Sequence, residues 1–126
     1  MSIKISAKEF EDLVVQALEE LPEFFQERLQ NIEVLIGDWP TEEELAEAGI
    51  GPDELLLGLY QGIPLTERTS AYGLVLPDTI TLYCGCLAEA CDTPDEIVAE
   101  VKQTVKHEIA HYFGLSDERL KELGAY

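Results

Sequence analysis

The chain's two histidines lie in one short run, His107-Glu108-Ile109-Ala110-His111. Four residues apart on a helix, two imidazoles leave the same face one turn apart, as two ligands of a single tetrahedral ion must. Glu108 would lie roughly 100° around from His107 and about 60° from His111. It is then close to an ion without being forced to bind it, where a general base can take a proton from a metal-activated water. Shuffling the sequence would place these three residues so in only about 0.2% of cases, so the pattern carries information. Gly114 and Asp117 follow His111 by three and six residues. A glycine can end the helix through left-handed backbone and turn the chain back, bringing Asp117 within reach as a third, oxygen ligand. Two nitrogens, one carboxylate and an open position describe a catalytic zinc site, whereas a closed structural site needs a fourth protein ligand. Asp117 beside Ser116 also suits the start of a following helix, in which case a water fills the third position. Glu118 and Glu122 are the fallback carboxylates.

Several elements must position this run. Thr93-Pro94-Asp95-Glu96 combines an N-cap, a first-turn proline and a capping-box glutamate. The helix it opens carries Ile97, Val98, Val101, Val105, Ile109 and Tyr112, and ends at Gly114. Ser6 with Glu9 opens an earlier amphipathic helix, with Phe10, Leu13, Val14, Ala17, Leu18 and Leu21 at steps of three and four. Pro22 starts a short helix over Glu23 to Leu29, and Ile32 to Gly37 alternates as a strand. Thr41 with Glu44 opens an acidic helix closed by Gly49. Leu55 to Gln61 is an apolar run broken by Gly58, Ile63 to Ser70 reads as a loop, and Tyr72 to Leu76 as a short strand. Thr79 to Cys86 reads as a strand rich in β-branched and aromatic residues, and Ser116 to Leu123 as a last short helix. Helices, then strands, then helices define an α+β class with a small sheet.

At 126 residues the chain has the length of one domain, residues 1–126. Acidic residues outnumber basic ones 26 to 8, for a net charge of −18. That balance argues against nucleic acid as a partner, because phosphate binding needs clustered Lys and Arg, and equally against an anionic membrane surface. No apolar run approaches the roughly 20 residues a spanning helix requires. Three clustered cysteines, Cys84, Cys86 and Cys91, without a signal segment, point to a cytoplasmic chain with reduced thiols rather than a disulfide framework.

HEIAHYFGLSD resembles the short zincin signature HExxHxxGxxD, and most of the chain is similar to the bacterial minimal zincin-like metallopeptidases. LLGLYQGIPLTER (Leu56 to Arg68) and LPDTITLY (Leu76 to Tyr83) also resemble that family. The resemblance implies a zinc-dependent fold in which a small mixed sheet packs on the active-site helix. By motif position it implies His107, His111 and Asp117 as zinc ligands and Glu108 as base. The site chemistry, rather than the resemblance, points to peptides or unstructured proteins as substrates, and the resemblance suggests that they bind extended along a sheet edge. The resemblance suggests Thr79 to Cys86 as that edge strand beside the helix, and the sequence alone does not locate the edge. The sequence departs from zincins with a methionine turn below the metal, since its one methionine is Met1.

Other residues admit two roles each. Tyr83, Tyr112 and Tyr126 are either oxyanion hydrogen-bond donors or packing residues. Cys84 and Cys86, on one strand face with Cys91 near, are either small buried side chains or a second, soft metal site. Arg68 either orients a substrate carboxylate or sits in a surface ion pair. For the whole chain, a zinc hydrolase acting on peptide bonds stands against a non-catalytic, zinc-stabilised binding module derived from a zincin. A metal-dependent ribonuclease, the third reading, conflicts with the acidic charge.

Overall fold

A computed structural model describes residues 4–51, 55–62 and 78–122, with backbone alone for Asp117 and Leu120. The elements are α1 (Ala7–Glu19), α2 (Glu23–Leu29), β1 (Ile32–Gly37), α3 (Glu42–Ala48), β2 (Gly58–Gln61), β3 (Asp78–Tyr83), α4 (Cys84–Ala90), α5 (Pro94–Tyr112) and α6 (Asp117–Glu122). The loop expected at Ile63 to Ser70 and the strand at Tyr72 to Leu76 lie outside the described residues, as do Arg68, Leu123 and Tyr126.

The caps read from sequence set the helix starts. Ser6 accepts from the Glu9 N–H at the head of α1, and Thr93 from the Glu96 N–H at the head of α5. Thr41 and Glu44 complete a reciprocal capping box on α3. Each such cap is worth about 1 kcal/mol. The 19-residue α5 buries Ile97, Val98, Val101, Val105 and Ile109 on one face. That stripe packs against Phe10, Val14 and Ala17 of α1 and against Ile80 and Leu82 of β3. Each large side chain contributes about 1.5–3 kcal/mol by leaving water.

The sheet has the order β1-β3-β2. β1 runs parallel to β3, pairing Ile32 with Asp78 through Gly37 with Tyr83. β2 runs antiparallel to β3, pairing Gly58 with Leu82 through Gln61 with Thr79. One face of this mixed sheet carries Tyr60, Ile80 and Leu82 into the main core. Leu59 and Tyr83 form a smaller core on the other face with Leu56 and Cys86, packed against Leu45 and Ala48 of α3.

Two expectations are corrected. The strand expected over Thr79 to Cys86 stops at Tyr83, and Cys84 begins α4. The Gly85 N–H donates to the Asp38 carbonyl at 2.8 Å, and Gly85 packs so closely on the Trp39 ring that no side chain fits there. This contact bends the chain out of the sheet, and the small residues that follow suit a helix. Nor is this strand at the edge. β3 is central, and β2 is the edge strand that meets α5.

Candidate active site

His107, Glu108 and His111 all lie on α5, near its C-terminal end. The helix closes as a Schellman turn. The Leu115 N–H reaches the Ala110 carbonyl at 2.8 Å and the Gly114 N–H reaches that of His111 at 3.2 Å. Gly114 has φ of +67°, the left-handed conformation that glycine adopts without penalty. The chain then enters α6, capped by Ser116, whose Oγ accepts the Arg119 N–H at 3.1 Å. Asp117 is the first residue of α6, and its side chain lies outside the described atoms.

Both imidazoles are exposed, and among the described residues neither makes a hydrogen bond or ion pair. Glu108 differs in being half-buried, with its Oε1 accepting the backbone N–H of Tyr60 at 2.9 Å. The strand register explains why that donor is available. The Tyr83 N–H donates to the Leu57 carbonyl at 3.0 Å, so Leu57, Leu59 and Gln61 turn their amides toward β3, while Gly58 and Tyr60 turn theirs outward. Glu108 thus covers one outward N–H of the edge strand, and its Oε2 takes no hydrogen bond from a described residue.

Close approach of β2 to α5 depends on Gly58. A Cβ there would lie 2.7 Å from Thr104 Cγ2 and 3.2 Å from the Thr81 carbonyl oxygen. The Tyr60 ring stacks on Tyr112 at 4.0 Å, with 20° between planes, and its hydroxyl donates to Asp78 at 2.6 Å. No individual role for Tyr60 was legible from its type or position in the chain. An isolated glycine within the apolar run Leu55 to Gln61 was the available signal, since glycine inside a strand often marks close backbone approach.

Cavities flank Glu108 on both sides. One, of about 330 Å³, is bounded by His111, Tyr60, Tyr112, Leu59 and Glu47. The other, of about 270 Å³, is bounded by His107, Thr104, Gly58, Leu57 and Glu100. Glu108, Ile50 and Leu56 line both.

Of the tyrosines, Tyr83 is buried and donates its hydroxyl to Glu44 Oε2 at 2.6 Å, and it lines neither cavity. Tyr112 is half-exposed at the cavity wall beside His111. The cysteines are all unpaired thiols, Cys86 and Cys91 buried and Cys84 partly so. Burial raises the pKa of each, and carboxylates beside Cys84 and Cys91 raise theirs further. They are therefore protonated at neutral pH and poor metal ligands as they stand. Among the described residues no three His, Cys, Asp or Glu side chains converge on one point. Asp117's side chain is not among them.

Two imidazoles without competing hydrogen bonds from described residues, one turn apart beside a fixed carboxylate and open space, fit the donor chemistry of zinc. The helix thus presents a His-Glu-His arrangement beside an edge strand. The profile of the family described as zincin-like metallopeptidase matches residues 29–125, and the chain belongs to that family. Among solved structures, a conserved hypothetical protein from T. thermophilus is similar, with 25% identity and a TM-score of 0.56, over 86% of this chain and 94% of that one. No curated protein sequence matches the chain. Among the described residues no helix is long and apolar enough to cross a membrane.

Proposed function

We propose that this chain is a zinc-dependent peptidase of the cytoplasm that cleaves peptides or unstructured protein segments. One observation carries the reading. Glu108 is fixed between two cavities by the Tyr60 N–H, with imidazoles at 107 and 111 alongside that have no partner among the described residues. His107 and His111 would hold the metal, with Asp117 as third ligand, delivered by the reversal at Gly114. When bound, zinc would polarise the scissile carbonyl and acidify the attacking water.

The chain's own residues do the rest. Glu108 Oε2 removes a proton from the water as its oxygen bonds to the carbonyl carbon. The same carboxyl then returns that proton to the amine nitrogen as the C–N bond breaks. Anchoring Oε1 on the edge strand restricts the rotamers of Glu108, so less ordering remains to be done during reaction. An extended peptide would run along β2, the strand nearest the base.

A second reading, a non-catalytic zinc-stabilised module, is favoured by the same bond, because a carboxylate that ties β2 to α5 has a structural use. The test begins with the metal content of protein purified without chelator or metal affinity resin. About one zinc per chain, lost in His107→Ala and weakened in Asp117→Ala, is expected. Cleavage of a diverse peptide library that disappears in Glu108→Gln while zinc is retained separates peptidase from module. Zinc binding without any cleavage would select the module, and no stoichiometric zinc would reject both.

A further inference from the structure

The cavity beside His111 has a lining whose chemistry selects a ligand. Its volume of about 330 Å³ is at the lower end of ligand pockets, about 300–1,000 Å³. Ala48, Ile50, Leu56 and Leu59 make apolar walls. Apart from Glu108 and His111, the ionisable carboxylate or imidazole in it is Glu47 alone among the described residues. Glu47 Oε2 accepts a hydrogen bond from Gln61 Nε2 at 3.1 Å, a neutral partner that leaves its charge uncompensated. Among the described residues it has no ion pair. Glu44, one turn earlier on α3, is committed elsewhere, to the Tyr83 hydroxyl and the Thr41 N–H. No described Lys or Arg lines this cavity or its neighbour across Glu108.

We propose that Glu47 is a specificity-determining residue that seats a lysine or arginine side chain next to the scissile bond, an inference that rests on the peptidase reading above. The apolar walls accept the methylene stem, and Glu47 at the rim meets the cationic head. The half-exposed Tyr112 ring also lines this cavity. An acidic substrate side chain would instead meet two carboxylates of its own sign. The overall charge of −18 draws any basic peptide toward the protein, so the test must separate local from global attraction.

The experiment compares peptides that differ only by lysine or norleucine at one position, since norleucine keeps the stem and lacks the ammonium. Cleavage by zinc-loaded wild type is measured alongside the affinity of the same peptides for zinc-loaded Glu108→Gln, which does not turn over. A preference for lysine of about tenfold is expected in both readouts. Glu47→Gln should bring the ratio close to one and Glu47→Lys should invert it, so that norleucine peptides are preferred. Glu42→Gln, the same charge change at an exposed position outside both cavities, should retain it. Cleavage with no lysine preference, or a ratio that Glu42→Gln lowers as much as Glu47→Gln, overturns this inference and leaves the peptidase reading intact. A Glu47-dependent lysine preference in binding, with no cleavage by wild type, leaves the inference as a ligand preference and removes the peptidase.

Discussion

The Tyr60 backbone N–H donates to Glu108 Oε1 across 48 residues of sequence and ties the edge strand to the helix that bears both histidines. Under the proposed peptidase mechanism, one carboxylate has two separable duties, holding β2 and handling a proton. Substitutions can divide them. Glu108→Gln keeps an acceptor oxygen, so it should abolish turnover while costing well under about 1 kcal/mol of stability. Glu108→Ala removes the acceptor of this part-buried bond and should cost about 1–3 kcal/mol. Denaturant melts of both variants beside an activity assay check this. Equal stability of the two would mean the bond holds nothing.

Gly58→Ala should push β2 away from α5. The added methyl overlaps Thr104 Cγ2 and crowds the Thr81 carbonyl, an overpacking cost of about 1–3 kcal/mol. Thr104→Ala in the same chain should recover part of that loss, because it removes the nearest clashing atom. The double-mutant cycle measures the coupling, and strict additivity would show that the two residues do not touch.

Acid should weaken the contact between α3 and the sheet. The Tyr83 hydroxyl, followed by the Thr41 N–H, holds the Glu44 carboxyl below its ordinary range. A carboxyl with lowered folded pKa gives stability that is present above its unfolded value of about 4.3 and lost as pH falls through the folded one. Because Glu44 is partly solvated, the contribution should be about 0.5–1 kcal/mol. Melting temperatures from pH 7 to pH 3 should fall less steeply in Glu44→Gln than in wild type. Parallel curves would remove Glu44 from the account.

The thiols should divide by burial. Burial first, and then the charges of Glu100, Glu96 and Asp92, push the Cys91 thiol up to about 11. Burial also raises Cys86. Cys84 is partly exposed, with its thiol donating to Asp38 Oδ1 at 3.6 Å. Iodoacetamide at pH 7.5 should label Cys84 slowly and leave Cys86 and Cys91 untouched until the chain unfolds, as peptide mass spectrometry would show. Simultaneous labelling of all three would contradict the packing around α4.

Local signals placed many elements correctly. Ser6, Thr41 and Thr93 each cap the helix expected of them, and Gly114 takes the left-handed turn that its position after His111 implied. Strand order was less legible. A period-two pattern reports which face a residue takes and says nothing about neighbours, so nothing in Thr79 to Tyr83 distinguished a central strand from an edge. Cys84 to Cys86 misled because the force that ends β3 is a contact with Asp38 and Trp39, 46 residues away for the Cys84–Asp38 pair. For the site, the spacing of His107, Glu108 and His111 was readable because all three share one helix. Tyr60, Gly58 and Glu47 come from other segments and meet that helix only through tertiary packing.

The stripe from Ile97 to Ile109 supplies one wall of the main core, and Glu108 sits within the same two turns as its last residues. Folding and assembly of the site are therefore one event. A ribosome that has not yet released residues 97–111 carries a chain with neither a closed core nor a base beside β2.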